Sequence, residues 1–596
     1  MPSGRKWKAG SGTRAWQSEM MPRRRLATGL AVVAAVLIAG RGAALLFSDY
    51  SWYLALDATQ IWRERLRDSF TLHFLSAAIA ALFAFANLAA VRRSIVSLAF
   101  PRRVGNVEFG EAVPRKVLDR ATFVLSAAVV LVISLVVPAW QKLALVRLGV
   151  RFGETDPFFQ RDLGFYTSWI PLEKAAYSWS MTLLAVVGAL VIALYALTPS
   201  LRWHRGAFHV SVRVRRHLAV LASLFLLTMA WSYRLDGYEL LMQGSGADGM
   251  FSYVDHQWLI PAYLSLSVGT VAGAALVLLS GWTGQVRAGF FTVSAVLIFA
   301  VALDLILPSV VRRLASADVA DAHQAPYAAT RAAFTARAYG MPRNNTTPPA
   351  EVRRFSSAAD SARMSRVAEA ANDSVLVYPG ASGAALVRRG PNVEAPMIGG
   401  GLRRLAHAWS EQRLDLLWTP LGLDTKIARR RDVRERVSAL MPHFSHGSEV
   451  SPAYIGDSLV WVLELYSASS TYPLSRHHDV AGEERSYFRH AGTAIVNSMT
   501  GRLVMVPVAT PDPIANAWRS RFPANIRAGN PDLLDELATT PSVAPGIPVP
   551  MDIPATDSAF RAEVTRLFGR MRQALAAGDL GGFAAAYDSL GTVVGR

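Results

Sequence analysis

The chain has 596 residues, 52% of them hydrophobic, with a mean hydropathy of +0.25, too apolar for a soluble protein of this length. Its formal charge of +18 is uneven: residues 1–311 hold 30 Lys+Arg against 17 Asp+Glu, and residues 312–596 hold 32 against 27, so the basic excess follows the apolar half and reads as membrane topology, not nucleic-acid binding. The absence of cysteine excludes Cys-ligated metal or iron–sulfur centres, a thiol nucleophile and disulfides.

After a basic segment, 1–25, seven apolar runs follow at Leu26–Phe47, Phe70–Val91, Ala121–Trp140, Ala176–Leu197, His217–Ser232, Leu259–Gly281 and Phe290–Val310. Most approach the roughly 20 residues that cross a hydrocarbon core about 30 Å thick; the fifth is the shortest. They define a seven-helix transmembrane domain over 26–311. Arg23-Arg24-Arg25 resembles a signal-peptide n-region, but the following run is long for an h-region and Arg41-Gly42 interrupts the place of cleavage, so an uncleaved span is expected.

Orientation follows from the connecting segments. Segments 1–25, 92–120, 198–216 and 282–289 carry 20 Lys+Arg in total, whereas 48–69, 141–175 and 233–258 carry 9 together with 12 acids. This asymmetry puts the N-terminus in the cytoplasm, and an odd number of spans then puts the C-terminal domain outside. The expected location is a bacterial inner membrane, with lipid as the surrounding partner.

Ionisable residues inside spans are costly and often functional. Arg41 and Asp304 both fall about 21–23 Å from the cytoplasmic start of their spans, and His73 enters its span at a similar depth. They either form an Arg41–Asp304 ion pair with His73 nearby, or snorkel separately to the headgroups. The outer loops mix aromatics with acids, in Asp156 to Tyr166 (DPFFQRDLGFY) and in Tyr233 to Leu241 (YRLDGYELL). Aromatic belts account for the rings but not for Asp156, Asp162, Asp236 and Glu239, which suit either a cation site or a dock for the outer domain.

Beyond the spans, an Ala-rich stalk helix with Pro326 inside it is expected over 312–341, then an α+β domain over 342–541. Helices are expected at 358–372, 402–417 and 430–440, loops at 342–357 and 379–400, and strands at 458–466, 492–498 and 502–508. The last two strands flank Thr500-Gly501 as a hairpin, and the first, apolar on both faces, suits a strand covered on both sides. A Pro-rich linker, 542–555, leads to a terminal helical hairpin over 556–596. Trp461, Glu464, Tyr466, Tyr472, Asp512 and Trp518 are candidates for an outer-domain binding surface, and Glu464 with Asp512 for paired carboxylates. His443, His446, His477, His478 and His490 lack metal-ligand spacing, so no metal and no cofactor is expected. No G-x-S-x-G elbow supports a Ser/His/Asp enzyme.

The two loop phrases, together with Pro326-Tyr327, Ala338-Tyr339-Gly340-Met341, Arg429 to Val437, Leu459 to Tyr466, Tyr472-Pro473 and Asp512 to Trp518, resemble uncharacterised protein family zero-one-eight-two, a large bacterial membrane-protein family. The resemblance implies seven spans and a big extracytoplasmic domain, but no assigned activity. It also implies that this chain is a shortened member, lacking a long stretch near 538–555. Around Tyr487 to Met499 the family pattern implies an Asn-Ser-Val-Lys run and a later Asp, where this chain has His490-Ala491-Gly492-Thr493 and Asn497. The reading is a polytopic α-helical membrane protein, not an enzyme, whose extracytoplasmic α+β domain binds an envelope component or protein partner. A secondary transporter or channel is the alternative, and an enzyme acting on a lipid-linked substrate the third.

Overall fold

The computed structural model describes residues 12–96, 115–197, 201–204, 207–245, 250–306, 310, 317–340, 375–387, 393–422, 424–447, 450–455, 458–480, 482–522, 566–567, 570 and 573. Two long helices open the chain, α1 (Gly12–Ala55) and α2 (Thr59–Val96), joined by a tight turn in which Asp57 takes a positive φ. After α3 (Arg115–Ser134) comes a short helix, α4 (Trp140–Leu148), stopped by Gly149 in the left-handed conformation that closes helix C-termini without a Cβ penalty. Then follow α5 (Ile170–Ala196), a hairpin of β1 (Leu201–His204) and β2 (Ala207–Val210), α6 (Val212–Gln243), α7 (Ile260–Thr283) and α8 (Val286–Val301).

Among the described residues six helices are long and apolar enough to cross a membrane: Thr28–Ala55, Thr59–Ser94, Arg115–Ser134, Phe165–Ala196, Val212–Gln243 and Asp255–Thr283. Seven full spans were expected. The seventh apolar run instead forms the 16-residue α8, which passes into a π-turn at Ala302–Ile306. The fifth, which looked too short, belongs to a 32-residue helix, because α6 carries Tyr233 to Leu241 as helix and not as loop. Two further π-turns, Phe165–Trp169 and Asp255–Leu259, start α5 and α7, and each is followed by Ile-Pro, with proline in the first turn where its missing N–H costs nothing.

The stalk helix α9 (Ala317–Tyr339) runs through Pro326 without a break. The C-terminal domain then contributes α10 (Gly401–Ser410), α11 (Val433–Leu440) and α12 (Pro513–Arg521). Caps at the last two are explicit: the carboxylates of Asp432 and Asp512 accept backbone N–H groups of the first turn. Two short strands, β3 (Ala385–Val387) and β4 (Lys426–Ala428), pair antiparallel. The main sheet is antiparallel and built on β7 (Ser458–Ser469). On one side of β7 lie β5 (Ser445–His446) and β6 (Ser451–Ile455); on the other lies β10 (Tyr487–Asn497), then β11 (Leu503–Pro507). A separate ladder joins β8 (His478–Val480) to β9 (Glu483–Arg485). The expected hairpin at Gly501 is present, and β10 carries a bulge between His490 and Gly492. Gly492 is needed there, since a Cβ would stand 2.6 Å from the Val506 carbonyl oxygen.

Alternation along β7 sends Trp461, Leu463 and Leu465 to one face, where they meet α11 and α12. The same core contains Trp52, Tyr53, Ala58 and Ile61 from the α1–α2 turn. The tip of the first apolar hairpin is therefore part of the domain's hydrophobic core. A second cluster joins Leu163, Tyr166 and Leu241 of the bundle to Phe334 of the stalk and to Tyr472 and Tyr487 of the domain. The expected helix 358–372, the loop 342–357 and the linker 542–555 lie outside the described residues, as does the terminal hairpin apart from four helical residues, Arg566, Leu567, Arg570 and Gln573.

Candidate functional site

The end of the bundle that meets the C-terminal domain holds most of the residues singled out from the sequence. Asp156 is fully buried and accepts the backbone N–H groups of Phe158 (2.9 Å) and Arg161 (2.8 Å) and the Tyr166 hydroxyl (2.9 Å). Asp162 accepts the N–H groups of Phe152 (3.1 Å), Gly153 (3.0 Å) and Gly164 (2.7 Å). Each carboxylate thus folds its own loop, satisfying donors that would otherwise be stranded. Glu239 pairs with Lys174 at 2.7 Å, and Asp236 lies on α6. Among the described residues no three His, Asp or Glu side chains stand close enough to hold one metal ion, so these four acids do not converge on a cation.

Two acids that the sequence reading passed over do comparable work. Asp255, also fully buried, accepts the Ser252 N–H (2.7 Å) and hydroxyl (2.9 Å) and the Ser245 hydroxyl at the π-turn that opens α7. Glu173 accepts the indole N–H groups of Trp169 and Trp231, each at 2.9 Å, and pairs with Arg234. Their signal was present in the Ile-Pro phrases after each π-turn. The aromatics interlock around them: the Phe158 ring packs on Phe251 and on His256, both at 4.7 Å, and His256 hydrogen-bonds the Tyr327 hydroxyl of the stalk at 2.8 Å.

Arg41 donates to the carbonyl of Trp409 at the end of α10, and the Trp409 ring lies against Gly40 so closely that a Cβ there would clash. A cation at a helix C-terminus is favourably placed. One turn and more along α1, the Ser48 hydroxyl meets His407 Nδ1 at 3.1 Å. Burial, with Arg429 adding to it, lowers the His407 pKa to about 4 and keeps the ring neutral. Next, Asp49 pairs with Arg430 at 2.6 Å, and the Arg430 guanidinium covers the ring of Trp52 at 4.4 Å. Behind it the fully buried Arg436 donates to the carbonyls of Arg430 (3.1 Å), Gly501 (2.9 Å) and Arg429 (3.2 Å); burial lowers its pKa to about 10, leaving it charged. His73 bonds the Ser69 carbonyl of its own helix at 2.8 Å, and the Asp304 side chain is outside the described set. Arg41 and His73 therefore each have partners other than the expected cluster.

The expected outer-domain surface is corrected. Trp461, Tyr466, Tyr472, Asp512 and Trp518 are all buried, because β7 is the central strand and α12 closes over one of its faces. Glu464 alone is half-exposed, bonded to His490 and, at 3.0 Å, to the Thr493 hydroxyl. Asp512 bonds Ser467 (2.8 Å) and Tyr487 (3.2 Å). Positions 464 and 467 have opposite parity on one strand, so the two carboxylates serve opposite faces of the sheet and cannot act as a pair. Burial raises the Asp512 pKa, against the pull of the Ser467, Ala515, Ile514 and Tyr487 donors. Of the histidines, His443 is wedged between Trp140 and Trp518, where burial lowers its pKa to about 4; His477 bonds the Met242 carbonyl at 2.8 Å.

The opposite end of the bundle is built differently. A cavity of about 660 Å³ is lined by Arg92, Arg93, Arg115 and Arg213, with Tyr195 and His217 on its inner wall. His217 is held by the Tyr195 hydroxyl and by Asn87, each at 2.8 Å, and Arg92 pairs with Asp119 at 2.5 Å. The remaining three arginines give the cavity an excess of positive charge and of N–H donors.

The model of the Uncharacterised protein family (UPF0182) matches residues 26–372 and 393–533. The chain belongs to this family. Curated relatives agree: a UPF0182 protein of Desulforamulus reducens is 25% identical over 54% of this chain and 37% of its own length, and one of Geobacter sulfurreducens 28% identical over 55% and 37%. A third, from Cupriavidus necator, is 30% identical over 33% of this chain and 22% of its own length. The matches to these UPF0182 proteins thus span little more than a third of their length at most. No solved structure matches the chain.

For this UPF0182 member, the junction is packed, paired and largely neutralised. The far cavity differs in carrying an excess of arginine among its described lining residues.

Proposed function

We propose that the protein is an integral inner-membrane protein, not an enzyme, that fixes its C-terminal domain at the outer face, where the domain binds an envelope component or a protein partner. The single observation that supports this most is the shared core: Trp52, Tyr53 and Ile61 of the α1–α2 turn are packed among the residues of the domain's own sheet and helices. A domain tethered only for proximity would not need its core completed by a membrane hairpin. The loop charges support the orientation, with N-terminus inside, and α8 with its π-turn, about 31 Å over 21 residues, serves as the seventh span. A reporter fused at Arg596 should read as extracytoplasmic, and a cytoplasmic signal would overturn the orientation. Crosslinking in intact membranes followed by capture, with lipids retained, should recover a ligand or partner that the Asp49→Ala, Trp52→Ala variant loses; no difference between the two would count against domain-mediated binding.

The arginine-lined cavity favours a second reading, binding or passage of an anion from the cytoplasmic side. Native mass spectrometry with added inorganic phosphate or anionic phospholipid should give an adduct that Arg93→Gln with Arg213→Gln removes.

A further inference from the structure

The C-terminal domain hides its apolar side chains well except in one place. Among its described residues, 375–522, the exposed large hydrophobics are Met397, Leu402, Leu405, Leu414, Trp418 and the isolated Met499. The first five belong to one small lobe with a core of its own, Ile398, Ala408, Leu416 and Ile427. Arg404 ties α10 to the turn that follows, donating to the carbonyls of Leu416 and Thr419, so the exposed side chains are held in one unit. Leu402 is 83% and Trp418 71% exposed, which in water would be a costly surface.

The height of this lobe says what covers it. Its helix α10 packs along α1 from Gly40 to Ser48, through Trp409 and His407. That stretch covers the last residues of the apolar run that ends at Phe47 and the serine just beyond it, and Gly40 is seven residues, about 10 Å, below that end. The most apolar window of α1 is only 6% buried within the protein, against 22–39% in the other five candidate spans; at the height of the lobe, where Ala44 and Ser48 are covered, Leu45 and Leu46 remain exposed for lipid to meet. Side chains standing beside it meet the same medium. Amphipathic helices at a bilayer surface settle about 5–10 Å deep, which matches the offset of Gly40 from the end of that apolar run. The polar details agree: Arg403 is exposed, as a residue that reaches headgroups must be, and Trp418 is an aromatic type suited to the interface.

We propose that α10 with the following turn, Gly401–Trp418, is a lipid-binding element that the domain lowers into the leaflet on its own side, its partner being the acyl chains of the bilayer. The proposal rests on α1 crossing the membrane and is the same whichever side the domain faces, so it can fail without the orientation failing.

The chain has no cysteine, so single cysteines at Leu402, Leu414 and Trp418 label uniquely, with exposed Glu484 of β9 as the aqueous control. With a bimane probe in liposomes of brominated-acyl phosphatidylcholine, the three lobe sites should be quenched severalfold more than Glu484, and should resist iodide. Equal iodide quenching at all four sites would overturn the proposal. So would protection that vanishes on diluting the protein in lipid, which would assign the patch to a second copy of the chain. The unsubstituted protein gives an independent reading: in nanodiscs, hydrogen exchange over 401–418 should be slower than in 478–485 and should speed up when the lipid is replaced by a short-chain detergent. Exchange indifferent to lipid would contradict insertion.

Discussion

The two ends of the helical bundle use charge in opposite ways. At the domain end, carboxylates are spent on donors: buried Asp156 and Asp255 and half-buried Asp162 accept backbone and hydroxyl donors of their own loops, and Glu173 closes on two indoles and Arg234. At the far end, three arginines of a cavity of about 660 Å³ have no acid among its described lining residues. Buried acids with three donors apiece are structural, whereas an open cationic cavity retains binding capacity. The contrast separates where the molecule is held together from where the proposed anion site lies.

The contrast breaks most visibly if the domain end is loosened. Trp52→Ala empties a fully buried site that also receives Arg430, and should cost about 3–5 kcal/mol. Thermal unfolding in detergent would show it, with faster hydrogen exchange spreading into β7 and α11. A loss confined to α1 would mean that the hairpin and the domain do not share a core.

Acid should act on the same end. His443 is held neutral with its pKa lowered to about 4, whereas an unfolded imidazole titrates near 6.5. Between those values only the unfolded chain gains the proton, so stability is full above about pH 6.5 and falls as pH drops toward 4. The loss is on the order of 3 kcal/mol for His443. His443→Phe should flatten this slope; an unchanged slope would place the acid sensitivity elsewhere.

Much of this end was legible in the sequence, and the reasons for the rest are physical. The apolar runs gave the bundle because lipid-facing helices need about 20 apolar residues and little else. α6 outran its apolar run because Tyr233 to Leu241 pack against protein, where charged residues are tolerated once paired, as Glu239 is with Lys174. The strand at Leu459 to Tyr466 was visible as apolar on both faces, yet its aromatics were assigned to a surface: alternation tells which residues share a face, not what lies on it. Arg41 was conspicuous as a charge in a span, but its partner is a carbonyl 368 residues away, which no local pattern carries. The arginine cavity was hidden for a different reason. Its basic residues lie in the segments that the charge asymmetry of membrane loops already accounts for, so their convergence leaves no separate mark on the sequence.

Smaller changes sharpen the comparison. Asp156→Ala should cost about 1–3 kcal/mol by stranding buried N–H donors, with no change in calcium or magnesium binding by calorimetry. A lost cation would restore the ligation reading. Smallest of all in stability is Arg93→Gln with Arg213→Gln, two exposed positions where substitution should stay within about 0.5 kcal/mol. The stabilisation that added phosphate gives the unaltered protein should then be lost, and its persistence would show that the cavity is not the anion site.

The central claim is that membrane hairpin and C-terminal domain form one folded unit, and it can be tested where α1 meets α10. Ser48→Cys and His407→Cys, placed in a chain with no other cysteine, replace two groups now 3.1 Å apart. In intact membranes mild oxidation should join them nearly completely as a disulfide, giving a faster-migrating band that neither single variant shows and that reductant removes. Two thiols that instead stay open to alkylation, with no crosslink, would contradict the account.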